Sequence, residues 1–136
     1  MNVRDVLISK IAIQPYYAII VNNEVYADSG SYFIFDNKQY AEDAIKTLRE
    51  DCELEDAAEV KEITFSSEKT RCNSNIFCYI IVGKTEDKDE YFIFHDECCG
   101  VEDNLCVYNT DLDDSYIRDE VNNDLGIITN AYIIVK

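Results

Sequence analysis

Two stretches of the chain carry nearly the same alternation of apolar and polar positions. Residues 16–36 read YYAIIVNNEVYADSGSYFIFD, and residues 77–96 read FCYIIVGKTEDKDEYFIFHD. In each, an Ile/Val/Tyr/Phe run of strand length is followed by a polar turn and a second such run, the pattern of a pleated, half-buried hairpin. Aligned by eye, Ile19-Ile20-Val21 falls on Ile80-Ile81-Val82 and Tyr32-Phe33-Ile34-Phe35 on Tyr91-Phe92-Ile93-Phe94. Self-similarity of this kind points to an internal duplication.

Each copy continues as helix and then strand. In the first, strands are expected over 17–22 and 31–36, with Asn22-Asn23 and Asp28-Ser29-Gly30 as turns. Asp36 as N-cap with Gln39 three residues on opens a helix whose apolar stripe is Tyr40, Ala41, Ala44, Ile45, Leu48 and Cys52. A strand over 60–65 closes the unit. In the second, strands over 77–83 and 90–95 lead into an insertion at 95–110. A helix capped by Thr110 and Asp113 and striped with Leu112, Tyr116, Ile117 and Val121 follows, then a strand over 127–135. The spacing therefore predicts one α+β domain over residues 1–136, mainly antiparallel, built from two tandem ββαβ repeats around a shared core. The boundaries are 1–15 for an N-terminal extension (helix through Val3, Leu7 and Ile11, or strand), 16–67 for the first repeat and 76–136 for the second.

Composition changes the picture in one respect. At 47% hydrophobic residues the chain has ample material for a core, yet it carries a formal net charge of −16 and a pI near 4.2. Residues 1–68 and 69–136 each hold 14 Asp/Glu and 6 Lys/Arg, so both halves share the surplus equally. Such a surface repels nucleic acid and anionic membrane and attracts a basic partner. No run approaches the ~18 apolar residues of a membrane span, and the N-terminus lacks the pattern of a cleaved leader. A cytoplasmic location is thus expected, with the six cysteines as reduced thiols.

Candidate chemistry is sparse. His95, Cys98, Cys99 and Cys106 form the one cluster resembling metal ligands, with Cys72 and Cys78 as distant completions, but the paired turns of zinc sites are missing. Buried small hydrophobes are the simpler reading of these thiols. No phosphate cradle, nucleophile elbow or EF-hand loop is present. The chain is read as non-catalytic, without cofactor or metal; a small metal- or thiol-dependent enzyme at His95 and Cys98-Cys99 is the outlying alternative.

The acids themselves are the strongest candidate for function. One belt is Glu42, Asp43, Glu50, Asp51, Glu53, Glu55 and Asp56; a second is Glu86, Asp87, Asp89 and Glu90; a third is Asp111, Asp113, Asp114, Asp119 and Glu120. Tyr40 and Tyr116, with Tyr26 and Tyr108, are placed to add contact area and hydrogen bonds. The charge exceeds the magnitude of about 2–8 that keeps a small domain soluble. Two acidic halves can present rows of carboxylates as a duplex presents phosphates, one charge per ~1.7 Å of axis.

In size, Asn/Asp/Ile/Tyr-rich composition and acidity, the whole chain resembles the bacteriophage-encoded inhibitors of host defence, the anti-CRISPR and anti-restriction proteins. That resemblance implies a non-catalytic protein, acting in the cytoplasm of an infected bacterial host, that blocks the positively charged nucleic-acid groove of a Cas nuclease or similar effector. It assigns no residue roles. An immunity protein neutralising a basic nuclease toxin is the alternative. Pairing of strand edges near Ala131–Val135 would give a homodimer.

Overall fold

The computed structural model describes residues 3–51, 54, 56–71, 75–86, 90–109 and 126–136. The described elements are α1 (Val3–Ile11), β1 (Tyr16–Val21), β2 (Glu24–Val25), β3 (Ala27–Asp28), β4 (Ser31–Tyr32), β5 (Ile34–Phe35), α2 (Lys38–Glu50), β6 (Ala58–Ser66), β7 (Asn75–Lys84), β8 (Tyr91–Ile93), β9 (His95–Cys98), β10 (Val101–Leu105), β11 (Val107–Tyr108) and β12 (Ile127–Val135). Among the described residues the fold is a single mixed domain, two helices on mostly antiparallel sheet. The helix expected from Thr110 lies outside the described residues. No described helix is long and apolar enough to cross a membrane.

Four long strands, in the order β1-β6-β12-β7, form the wall on which the rest is hung. The full path runs β2-β1-β6-β12-β7-β11-β4-β3, and its terminal strands β2 and β3 are joined through the single residue Tyr26. The sheet thus closes on itself as a barrel. Closure corrects the edge-pairing route to a homodimer: β12 is bonded on one side to β6 and on the other to β7, so Ala131–Val135 offers no free ladder.

Tight turns fix the register. Asn22 and Asn23 both take positive φ (53° and 65°) between Val21 and its partner Glu24, a two-residue connection that asparagine tolerates. Ser29-Gly30 and Cys99-Gly100 make the same left-handed pair at the tips of the β3–β4 and β9–β10 hairpins. The expected strand over 31–36 is broken at Phe33, and the expected insertion at 95–110 is itself the β9–β10 hairpin followed by β11.

The pairing is two-fold symmetric. In the first half Tyr26 N–H donates to Ile19, Ile19 N–H to Phe33 and Phe33 N–H to Tyr26; in the second, Phe94 donates to Ile81, Ile81 to Cys106 and Cys106 to Phe94. Beside these triangles Tyr17 and Ala18 pair with Phe35 and Ile34, as Tyr79 and Ile80 pair with Tyr108 and Val107. Across the centre Ser66 faces Tyr132, Thr64 faces Ile134, and Phe65 faces Ile133. The by-eye alignment is therefore corrected. Phe33–Phe35 corresponds to Cys106–Tyr108, and Tyr91–Phe94 corresponds to the stretch ending at Tyr26. Apolar runs of equal length look alike, and only the hydrogen bonds distinguish which edge each one takes.

The core has two parts. Inside the barrel Ala18, Ile20, Ile34, Ile63, Phe65, Ile80, Val82, Ile93, Leu105, Val107 and Ile133 are buried together, and α1 adds Leu7, Ile8 and Ile11. Outside it, α2 lays Ala41, Ala44 and Leu48 over Ile19, Phe33 and Phe35. At one end of the barrel α1 packs across β6, β8 and β12. Arg4 Nε donates to the Asn130 carbonyl at 3.1 Å and its Nη2 to the Ser67 carbonyl; Tyr16 Oη donates to the Ile11 carbonyl. The opposite end holds an open cavity of about 630 Å³.

Candidate acidic binding face

The helix that was to carry the first acidic belt starts one residue later than expected. Asn37, extended at φ −138°, is the N-cap, and its side chain accepts from Gln39 N–H at 2.8 Å. With Ala41, Ala44 and Leu48 turned inward, Glu42, Asp43 and Glu50 are exposed, and Tyr40 is 42% exposed rather than part of the apolar stripe. Lys38, Lys46 and Arg49 share the outer surface of α2, so three acids stand among three bases. The helix itself is thus charge-neutral, which corrects its reading as an acidic row.

The unbalanced acids nearest that helix lie in its exit. From Asp51 to Glu59 the sequence holds five acids and no base. Asp51 caps the C-terminus through its N–H to the Thr47 carbonyl at 3.1 Å, and Leu54, 5% exposed, pins the segment to the core with its N–H on the Leu48 carbonyl. Arg49 Nη2 reaches the Asp56 carbonyl at 3.2 Å, and Asn22 Nδ2 lies 3.4 Å from Asp56 Oδ2. Asp51, Asp56 and Glu59 consequently face solvent from an anchored backbone. Glu53 and Glu55 lie outside the described residues.

The β9–β10 hairpin extends this face, and sequence reading passed it over as an insertion. Glu97, Glu102 and Asp103 on it are exposed, and Asp96 accepts from Tyr108 Oη at 3.3 Å. Its tip rests against the helix exit: a Cβ on Gly100 would stand 3.6 Å from Asp51 Oδ2. The tip also meets the β3–β4 turn, where Cys99 Sγ donates to Asp28 Oδ2 at 2.9 Å. Asp28 and Asp51, far apart in sequence, are thereby brought to the two sides of one hairpin tip. The signal that could have found this hairpin was the Cys99-Gly100 pair, a left-handed turn set in a strand-like stretch.

The remaining acids divide. Glu86 and Glu90 are exposed at a turn in which Thr85 Oγ1 accepts from Glu90 N–H at 3.1 Å. Asp87, Asp89, Asp111, Asp113, Asp114, Asp119, Glu120 and Tyr116 lie outside the described residues. Of the other tyrosines, Tyr108 is buried at 2% exposure and Tyr26 packs on Phe33 with ring centroids 5.2 Å apart, so neither is an open contact.

Among the described residues the cysteine–histidine cluster does not converge, and Cys72 lies outside them. His95 turns to carboxylates, Nε2 standing 3.5 Å from Asp36 and Nδ1 4.0 Å from Asp103. Cys98 and Cys99 face Asp28, while Cys106 and Cys78 are buried in the sheet. Burial pushes the Cys78 thiol well up; burial, helped by the hydrogen bond to Asp28, does the same to Cys99. Both directions hold these two thiols protonated at neutral pH.

No protein-family model, no curated protein and no solved structure matches this chain.

Proposed function

We propose that this chain is an acidic, non-catalytic binding protein that inhibits a nucleic-acid-binding host-defence protein, an anti-CRISPR occupying the positively charged groove of a Cas effector. The observation that carries the reading is the set of exposed acids Asp51, Asp56 and Glu59 at the α2 exit, met at Asp51 by the tip of the β9–β10 hairpin that carries exposed Glu97, Glu102 and Asp103. The backbone that carries them is anchored by Leu54, by the Arg49 contact to the Asp56 carbonyl and by the Cys99–Asp28 hydrogen bond. Preorganisation of this kind lowers the ordering cost of binding. Long-range attraction to a Lys/Arg-lined channel would speed encounter. The symmetric register supports a scaffold that arose by duplication, each half bringing a net −8.

The test is a gel-shift series in which Cas effectors meet target DNA with and without saturating protein. Loss of the shift for at least one effector type is expected. Undiminished DNA binding across the types removes the reading, and tight binding to a basic nuclease toxin instead would move the chain to the immunity proteins.

A further inference from the structure

At the tip of the β9–β10 hairpin two thiols stand against one carboxylate. Cys98 ends β9, and Cys99 follows at φ 54° beside Gly100 at 76°, so the chain reverses through two left-handed residues. The two sulfurs lie 3.7 Å apart, in van der Waals contact. Both face the β3–β4 turn: Cys98 Sγ is 3.8 Å from the Asp28 carbonyl, and Cys99 Sγ donates to Asp28 Oδ2 at 2.9 Å. The pair is half-buried, within reach of a small solute, whereas Cys78 and Cys106 are buried in the sheet. The Cys99–Asp28 bond ties the hairpin tip to the turn.

We infer that Cys98 and Cys99 are a redox pair that hydrogen peroxide closes to a vicinal disulfide, with Asp28 as the base that assists closure. Cys99 is held as S–H by its bond to the carboxylate, so it is the resolving thiol and Cys98 is oxidised first. Peroxide transfers one oxygen to Cys98 Sγ, giving the sulfenic acid and a first water. Cys99 Sγ then attacks the Cys98 sulfur, forming the S–S bond and breaking the S–O bond. The Cys99 proton passes to Asp28 Oδ2 and on to the departing hydroxide, which leaves as the second water. The thiol pair thus loses two electrons and two protons, and the peroxide is reduced to water. Such a ring spans neighbouring Cα atoms about 3.8 Å apart, closer than the roughly 4.4–6.8 Å of ordinary disulfides. It is therefore strained, and it reopens readily with a dithiol. Closure also removes the proton that Cys99 shares with Asp28, which leaves a carboxylate against bare sulfur and parts the tip from the turn. Because the hairpin carries exposed Glu97, Glu102 and Asp103, that release alters the acidic face, although the chemistry itself does not depend on the proposed function.

The test uses the full chain carrying Cys52→Ser and Cys72→Ser, treated with stoichiometric peroxide and read by peptide mapping and backbone NMR. A Cys98–Cys99 peptide lighter by two hydrogens is expected, restored by dithiothreitol, with amide shifts at Asp28, Ser29, Gly30 and Gly100. Dimedone should label Cys98 in Cys99→Ser and leave it nearly unlabelled when both thiols are present. Asp28→Asn keeps the side-chain shape without the base, and should slow closure about tenfold or more while the Cys98 sulfenic acid accumulates. Asp28→Glu, a carboxylate on a longer arm, should recover part of the rate, which a merely structural role would not. Sulfinic acids or disulfides between molecules in place of the ring overturn the inference. So does closure in Asp28→Asn as fast as in the parent, and so do tip amides that stay at their reduced positions after the ring has formed.

Discussion

Phe65 and Ile133 face each other across the β6–β12 ladder at the point where the pairing maps onto itself. Both side chains are buried in the barrel, Ile133 completely and Phe65 at 4% exposure. Truncating either to alanine should cost about 2–5 kcal/mol. Because the two are direct cross-strand neighbours, the double variant should depart from the sum by roughly 0.5–3 kcal/mol. Urea unfolding of the four proteins measures this; strict additivity would show that the centre of the barrel does not act as one packed unit.

Asn104 closes the barrel on the far side. Fully buried, it accepts from Ile34 N–H at 3.1 Å and donates to Ser31 Oγ at 3.0 Å, and the two-fold mapping makes Ser31 its own counterpart. Asn104→Leu strands a buried N–H and should destabilise by about 2–4 kcal/mol. Ser31→Ala, which strands the Asn104 amide N–H but keeps the bond to Ile34, should cost less, about 1–2 kcal/mol. Equal losses from the two would mean that the amide does not serve the Ile34 backbone.

Alkaline pH should weaken the fold through Tyr16. Burial raises its phenol to about 12 from 10.0, opposed by a Gln14 hydrogen bond and aided by the nearby Asp36 charge. The folded state therefore holds this proton more tightly than the unfolded state, so the contribution is intact below pH 10 and is lost as pH rises toward 12. Tyr16→Phe should flatten the pH dependence of unfolding in that window. It should also cost about 1 kcal/mol at neutral pH for the lost bond to the Ile11 carbonyl. Stability profiles of the two proteins that stay parallel from pH 9 upward would rule this out.

The acidic face gives an internal control. Asp51→Asn, Asp56→Asn and Glu59→Gln together should slow association with a basic partner about tenfold at low salt and reduce its salt dependence. Glu42→Gln with Asp43→Asn, on the charge-balanced surface of α2, should do much less. Stopped-flow association at two ionic strengths separates them, and equal effects would return the weight to the helix.

How far the residues announced all this depends on the range of the interaction. The long strands and α2 were legible because period-2 and helical apolar patterns are local: Ile127–Val135 is the predicted strand residue for residue, and α2 begins within a residue or two. The partner of each edge was not legible. Tyr91–Ile93 and Ile34–Phe35 are both runs of Phe and Ile beside an aromatic, but bond to opposite ends of β7 and β1, a choice made by tertiary pairing. The β9–β10 hairpin hid behind charge: Asp96 and Glu97 stand in β9, and Glu102 and Asp103 interrupt the period-2 pattern between Val101 and Leu105. The acidic surplus was visible in the composition, yet its balance on α2 against Lys38, Lys46 and Arg49 emerged only once the buried side was known.

The central ladder also constrains how the chain can be made. β6 must wait for β12, which lies 68 positions further along between Phe65 and Ile133, so throughout synthesis of the intervening segment the earlier half exposes an unsatisfied strand. Such an edge invites capture by a neighbouring nascent chain, and late, non-local joining is slow. Mutual repulsion between strongly anionic copies would keep those waiting halves apart on the polysome until β12 arrives.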